Sequence, residues 1–386
     1  MKKKSIVIIA YTQISTDARV IRAAKAASEA DFSIDFYTLN EDNSFSIDGV
    51  NIIRSKQYQI RAGFIKYIIS YLKFFLFCLY NVSKNYFKKR YAVCHINNMP
   101  NFLVFSCIIP KLFGAKLILD VHDLIEELME VRFCNKNFRS ILRFEERISA
   151  NFCDVIISVN ELHKERFKKI GIRKKIIPIL NISDSKSVDN IGKKFNNKTV
   201  KIVYAATITK QVGIETLIYS IYKLRERINN FKLFIYGDGP SLKENIRLVN
   251  KLNLNNIIIF SKRWLPFNEL SNEYDNAHIG VVPTSRNRLT DLCLGAKTTE
   301  YYAKKIAVVL SDTLSHNHYF SDCALLFKAG DPKDLADKLY MLIKDRELMK
   351  EYANKGYEYY LQNPWSKYKK RYIDLLTELA NEKRKN

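Results

Sequence analysis

Two doubly wound α/β domains, each built on a parallel sheet, follow from three features of this sequence. Short apolar runs rich in β-branched residues alternate with longer stretches of helical period, the pattern of a βαβ chain. The alternation comes in two sets, separated by a polar segment, Asp184 to Lys198, that is poor in large apolar residues and reads as a linker. With 386 residues, 47% of them hydrophobic, each set is long enough to bury its own core.

The first set, residues 1–183, opens on the strand SIVIIAY. The basic tip before it leads into an apolar run too short for a secretory leader and without a small-residue cleavage site. A helix from about Asp17 to Ala30 follows, then strands over SIDFYTL, HINN, AKLILDV, DVIISVN and KKIIPIL. The second set, residues 199–364, runs VKIVYAAT, a helix from about Gly213 to Ile228, FKLFIYG, a helix over Ser241 to Leu252, then NIIIFS, HIGVVPT, AVVLSD and ALLF. The tail, residues 365–386, is a basic amphipathic helix expected to pack back on the first domain. Trp365, Tyr368, Tyr372, Leu375, Leu376 and Leu379 lie near helical spacing along it.

Seven cysteines, including Cys134, are odd in number, sit mostly in apolar runs and form no C-x-x-C pair, which argues against a disulfide framework or a zinc site and fits a reducing cytoplasm. The formal net charge of +23 calls for an anionic partner. Between Arg54 and Tyr91 nine residues are basic, Arg61 among them, and none is acidic, with aromatics interleaved throughout. Lys73 and Lys84 break the apolar stretch short of a membrane span. Lys66, Ser70, Lys73, Asn81, Lys84 and Lys88 instead share one helical face. Residues 64–91 therefore read as a helix lying on an anionic membrane surface, against the plainer reading of a core helix with a lysine stripe.

Lys297 and Glu300 stand one helical turn apart where a helix opens after an apolar run. They suit a phosphorylated ligand with hydroxyls, or form an ordinary i,i+3 ion pair. The loop Ala206 to Gly213 ends in glycine before a helix and brings Lys210 near a possible phosphate, although neither a Walker loop nor a G-x-G-x-x-G fingerprint is present. Gly237 and Gly239 admit a close ligand or simply a tight turn. His122, after the strand KLILD, could hydrogen-bond a sugar hydroxyl or a diphosphate with Asp123 orienting it, or form a structural pair with that aspartate. His95 ends a neighbouring strand. His316 and His318 lack companions for a metal, and no D-x-D pair occurs, so neither a metal nor another cofactor is expected.

In their order and spacing, TDARVIRAAKAA, LILDVHD, DVIISVNELHKERFKKIGI, IIPILNISD, KIVYAATITKQVGIETLIYSI, FIYGDGP, NELSNEYDNAHIGVVPT and AKTTEYYAKKIAVVLSD resemble the GT-B glycosyltransferases, specifically glycosyltransferase family 4, over nearly the whole chain. The resemblance implies two Rossmann-like domains facing a cleft, a nucleotide sugar bound mainly by the second and an acceptor taken mainly by the first. It implies that Glu300 holds the donor ribose, that Lys297 faces the diphosphate and that His122 lies near the donor sugar. It departs from the family pattern at Thr207 and Val212, where phosphate-loop cations would stand, and at Leu292, where a carboxylate would stand next to Asp291. Lys305, Ala307 and Ala206 also depart.

The expected activity is retaining transfer from a nucleotide sugar to a lipid-linked or lipopolysaccharide-type acceptor, at the inner face of the cell membrane. The altered phosphate loop motivates an alternative, a noncatalytic binding partner on the same fold. Nucleic acid is not an expected partner, because no recognised binding module is visible.

Overall fold

The first apolar run is buried on both sides, as the strands of a parallel sheet covered by helices must be. The computed structural model describes residues 3–41, 45–60, 64–133, 139–182, 184 and 198–382. The expected linker lies outside the described residues apart from Asp184 and Lys198, and Arg61 and Cys134 lie outside them too. The chain divides into two units, Met1–Leu180 with Ser366–Asn386, and Asn181–Trp365.

In unit 1 the elements run β1 (Ser5–Ile9), α1 (Ala18–Glu29), β2 (Ser33–Thr38), β3 (Val50–Arg54), α2 (Phe64–Lys89), β4 (Val93–Asn97), α3 (Ile108–Leu112), β5 (Lys116–Val121), α4 (Ile125–Phe133), α5 (Arg139–Phe152), β6 (Val155–Ser158), α6 (Glu161–Lys169) and β7 (Lys175–Pro178). Asp17 starts α1 by accepting from the Val20 amide at 3.2 Å, and Asn160 caps α6 through the His163 amide at 3.0 Å. The seven strands are parallel in the order β3-β2-β1-β4-β5-β6-β7, so the winding reverses between β1 and β4. Sequence reading missed β3. This edge strand is only partly buried and lacks the continuous apolar run of its neighbours.

Helix α2 is long and apolar enough to cross a membrane by length and composition. One side of it, Tyr71, Phe74, Cys78, Val82 and Tyr86, is buried in unit 1. Ser70 joins that side, hydrogen-bonded to Tyr11 at 2.6 Å, and so leaves the lysine face on which sequence reading put it. Ile65, Ile68, Ile69, Leu72, Leu76 and Tyr80 are exposed, from 41% to 72%, on a sector bordered by Lys66, Lys73 and Lys84.

Unit 1 also holds a buried charge network. Arg166 reaches Glu127 at 2.8 Å and Glu126 at 3.3 Å, and Arg143 grips Glu126 through Nε and Nη2 at 3.0 and 2.7 Å. Burial pushes the Glu126 carboxyl up, but its hydrogen bonds to Arg143 and Arg139 outweigh that and hold it at about 2.

Unit 2 runs β8 (Val200–Ala205), α7 (Ile214–Leu224), β9 (Phe231–Tyr236), α8 (Leu242–Lys251), β10 (Ile258–Phe260), α9 (Phe267–Asp275), β11 (Ile279–Val282), α10 (Lys297–Ala303), β12 (Ala307–Ser311), α11 (Leu314–Phe320), β13 (Leu325–Phe327), α12 (Pro332–Lys344) and α13 (Arg346–Gln362). Its six parallel strands follow the order β10-β9-β8-β11-β12-β13, and the winding reverses between β8 and β11. The core packs α7 and α12 on the sheet through residues such as Leu217, Ile221, Leu335 and Leu339. Asp331 caps α12, whose first residue is Pro332, and Asp345 caps α13.

The last helix, α14 (Trp365–Asn381), lies with unit 1 from Ser366 onward and buries Tyr368, Tyr372, Leu375, Leu376 and Leu379. Lys4 donates to the Ala380 carbonyl at 2.7 Å near the end of the helix, and Arg371, within it, donates to that of Pro178 at 2.9 Å.

Candidate functional site

Where a doubly wound sheet reverses direction, the two loops leaving its central strands diverge and open a crevice at their carboxyl ends. In unit 2 that point holds a cavity of about 200 Å³. Tyr204, Ala205 and Ala206 line it from the end of β8, and Val281, Val282 and Thr284 from the end of β11. Thr290, Cys293, Gly295, Lys297 and Thr298 form a second wall, and His316 of α11 completes the lining.

Lys297 and Glu300 meet in this structure, Nζ to Oε2 at 3.0 Å. The i,i+3 pair of the plain reading therefore exists, but it is not a surface pair. The Glu300 side chain is 9% exposed and that of Lys297 36%. A buried carboxylate with one cationic partner keeps acceptor capacity, and the cation keeps donors, for a ligand carrying both hydroxyls and negative charge. Lys297 lines the cavity, and Glu300 stands one turn further along the same helix, 3.0 Å from the Lys297 Nζ.

The loop before α7 is held by close backbone packing. Gly213 has φ 71°, and a Cβ there would stand 1.7 Å from the Pro283 carbonyl oxygen. The free faces of Gly237 and Gly239 are filled by protein, because a Cβ on either would meet the Ala206 or Ile208 carbonyl at 2.1 or 2.4 Å. Backbone bonds Ile208 N to Asp238 O and Ser241 N to Ile208 O, both 3.0 Å, join the two loops. The close approach these glycines permit is thus one loop against another. Lys210 is exposed, forms no ion pair among the described residues and does not line the cavity, so of the two expected cations only Lys297 is there. Val212 gives the cavity an apolar wall, and Leu292 has no carboxylate substitute in Asp291. That aspartate is occupied by Arg286 Nε at 3.2 Å and the Leu314 amide at 3.1 Å.

His316 is a functional candidate that sequence reading considered only as a metal ligand. Thr313 caps α11 and sets His316 in its first turn, a spacing legible in the sequence. Its ring is buried, and Nδ1 lies 2.8 Å from the Ser311 carbonyl oxygen. Burial lowers its pKa.

In unit 1, Asn98 clamps the loop after β5. Its Oδ1 accepts from the His122 amide at 3.2 Å and its Nδ2 donates to the Asp123 carbonyl at 2.5 Å. Asp123 does not orient the His122 ring through Nδ1, which is buried without a partner; the clamp holds backbone, and leaves that nitrogen open. His95 is structural. Fully buried, it meets the Tyr372 hydroxyl at 2.6 Å through Nδ1 and lies 3.5 Å from Asp120 through Nε2. Arg19 holds Asp120 with two bonds, at 3.1 and 2.7 Å. Burial pushes the Asp120 carboxyl up, but Arg19 and His95 outweigh it and keep it well below the usual carboxylate range. Among the described residues no group of three or more His, Cys, Asp or Glu gathers in a way that could hold a metal ion.

Two doubly wound parallel-sheet domains, with a cavity at the reversal point of the second, define the GT-B class of glycosyltransferase fold. Residues 186–359, which contain the whole lining of that cavity, match the family described as glycosyl transferases group 1.

The chain is 24% identical to an uncharacterized glycosyltransferase of Methanocaldococcus jannaschii, over 53% of this chain and 58% of that protein, so it spans little more than half of that curated relative. Its fold is similar to that of sucrose-phosphate synthase from Thermosynechococcus elongatus, at 16% identity over 98% of this chain and 99% of that one, with a TM-score of 0.80. It is also similar to the E. coli trehalose-6-phosphate structure bound with UDP-2-fluoro glucose, at 10% identity over 98% and 99% of the two chains, with a TM-score of 0.70.

Proposed function

We propose that the chain is a retaining, metal-independent glycosyltransferase that moves a sugar from a nucleotide sugar to a lipid-linked cell-envelope glycan, working on the cytoplasmic side of the membrane. The cavity at the β8/β11 reversal carries this reading, because it combines a lysine cation with the family segment that matches group 1 transferases. Glu300 would hold the donor ribose and Lys297 the diphosphate. As the bond from the anomeric carbon to the donor phosphate breaks and that to the acceptor oxygen forms on the same face, the departing phosphate takes the acceptor's proton. The protein then supplies positioning and charge stabilisation rather than a base. His122, placed after β5 by the Asn98 clamp on its backbone, is the first unit's candidate for a contact with substrate. The exposed apolar sector of α2, bordered by lysines, supports docking on an anionic membrane that carries the acceptor.

The test is a screen of UDP-, GDP-, CMP- and dTDP-sugars by thermal shift and donor hydrolysis, followed by the same assay on Lys297→Ala. Removing one donor to the departing charge is expected to lower turnover roughly 100-fold or more in a chain that still folds, with a lower melting temperature because the buried Glu300 carboxylate loses its partner. Full transfer by the variant would refute the assignment of Lys297. A second reading, a noncatalytic sugar-nucleotide or glycan-binding partner, is favoured by Thr207, Val212 and Leu292 at positions where charged groups were expected. Nucleotide binding without hydrolysis or transfer would select it.

A further inference from the structure

We infer that His316 is a ligand-recognition residue whose Nε2 accepts a hydrogen bond from an O–H or N–H group of the phosphorylated ligand held in the β8/β11 cavity; the inference rests on reading that cavity as the donor site. The bonding of the ring fixes this. The Ser311 carbonyl oxygen can only accept, so at 2.8 Å the proton between them belongs to His316 Nδ1. Burial keeps the ring neutral, which leaves Nε2 as a bare lone pair. Unlike Nδ1 of His122, Nε2 is not a polar atom shut inside without a partner, and the residue lines the cavity.

Lys297, which also lines the cavity, can only donate, and Nε2 can only accept. Thr290, another lining residue, is occupied. Its hydroxyl donates to the Ser285 carbonyl at 2.7 Å and accepts from the Asn287 amide at 2.9 Å. The cavity thus selects a ligand that presents an anionic oxygen and, separately, a donating group. A ligand with an acceptor or a methyl group at that second position leaves Nε2 desolvated and unpaired, which is the strongest form of rejection a small site can offer.

Titration calorimetry on the full chain, with UDP, GDP and dTDP and with their glucose conjugates, tests this. Asn at this position presents an amide N–H where Nδ1–H stands, and so keeps the Ser311 bond, but it has no atom at the Nε2 position. His316→Asn is expected to weaken binding about tenfold with an unchanged melting temperature. A loss already seen with the free nucleotide locates the partner group on the nucleotide; a loss confined to the conjugate locates it on the sugar. Should His316→Asn not fold, the pair His316→Gln and His316→Met decides, since they share a length and differ in the acceptor. Gln is expected to bind about tenfold more tightly than Met. Wild-type affinity in His316→Asn, or equal affinity in the second pair, overturns the role of His316 alone. No binding of any probe by the wild-type chain overturns the donor-site reading together with it.

Discussion

Gly213→Ala isolates the packing that shapes the cavity. An L-residue in the left-handed region costs about 1 to 2 kcal/mol, of which the lower entropy of the unfolded alanine variant returns about 0.4 to 1. The Pro283 carbonyl oxygen, 1.7 Å from the new methyl, must then withdraw by more than an ångström. That withdrawal pulls on the bond from Ser285 N to Gln211 O, 3.0 Å long, whose loss is worth about 1 kcal/mol, and the overpacked neighbours add about 1 to 3. The net loss comes to roughly 2 to 6 kcal/mol. For a unit of this size it corresponds to a fall of about 4 to 24 °C in melting temperature. Gly330→Ala is the internal control, since φ is 81° there but nothing lies within 4 Å of the added methyl. It should lose no more than about 1 to 2 kcal/mol. Because Val212 and Thr284 flank the two loops and both line the cavity, Gly213→Ala should also weaken nucleotide binding while Gly330→Ala leaves it intact. Equal melting temperatures for the two variants in differential scanning fluorimetry would refute the reasoning.

On the membrane side, Leu72→Glu with Leu76→Glu, both on the exposed sector of α2, should reduce co-sedimentation with phosphatidylglycerol-containing vesicles at least tenfold and leave the fold unchanged. A wild-type chain that ignores such vesicles would remove membrane docking from the functional reading. In the charge network, the Glu126 carboxyl sits near 2 when folded against an ordinary value of 4.5. A depressed carboxylate stabilises the fold above its unfolded pKa and loses that contribution as pH falls toward the folded value, so its share, at most about 3 kcal/mol, should vanish between about pH 5 and 2. Urea titrations of Glu126→Gln should show a shallower acid decline than wild type, and parallel curves would contradict this assignment.

Most of the fold was readable because both sheets are parallel and covered on both faces, so their strands are unbroken apolar runs such as Ile6–Ile9 and Leu117–Leu119. The strand β3 escaped because an edge strand need not be apolar throughout. On α2, composition revealed a lysine stripe but not which apolar half faces the core, since periodicity cannot separate a protein neighbour from a lipid one. The contact between Lys297 and Glu300 was legible from their i,i+3 spacing after a strand. That Lys210 does not line the cavity was not legible, because the position of a loop side chain depends on the path of the backbone, here set by Gly213 against Pro283. His316 escaped because its role depends on a carbonyl oxygen, Ser311, and backbone atoms leave no trace in residue identity.

The last helix has a consequence for synthesis. His95 waits for a tyrosine 277 residues further along the chain, and the Lys4 ammonium waits for the carbonyl of Ala380. At ribosomal speeds of about 5 to 20 residues per second, the delay is on the order of 15 to 55 seconds for the first contact and about 20 to 75 seconds for the second. Throughout it, the first unit to leave the ribosome lacks its final layer, with the apolar ground later covered by Leu375, Leu376 and Leu379 open to water. The unit from Asn181 to Trp365 is contiguous and can close first. The part made first is therefore the part finished last, and a nascent chain stalled before Tyr368 should be the most aggregation-prone state that this protein passes through.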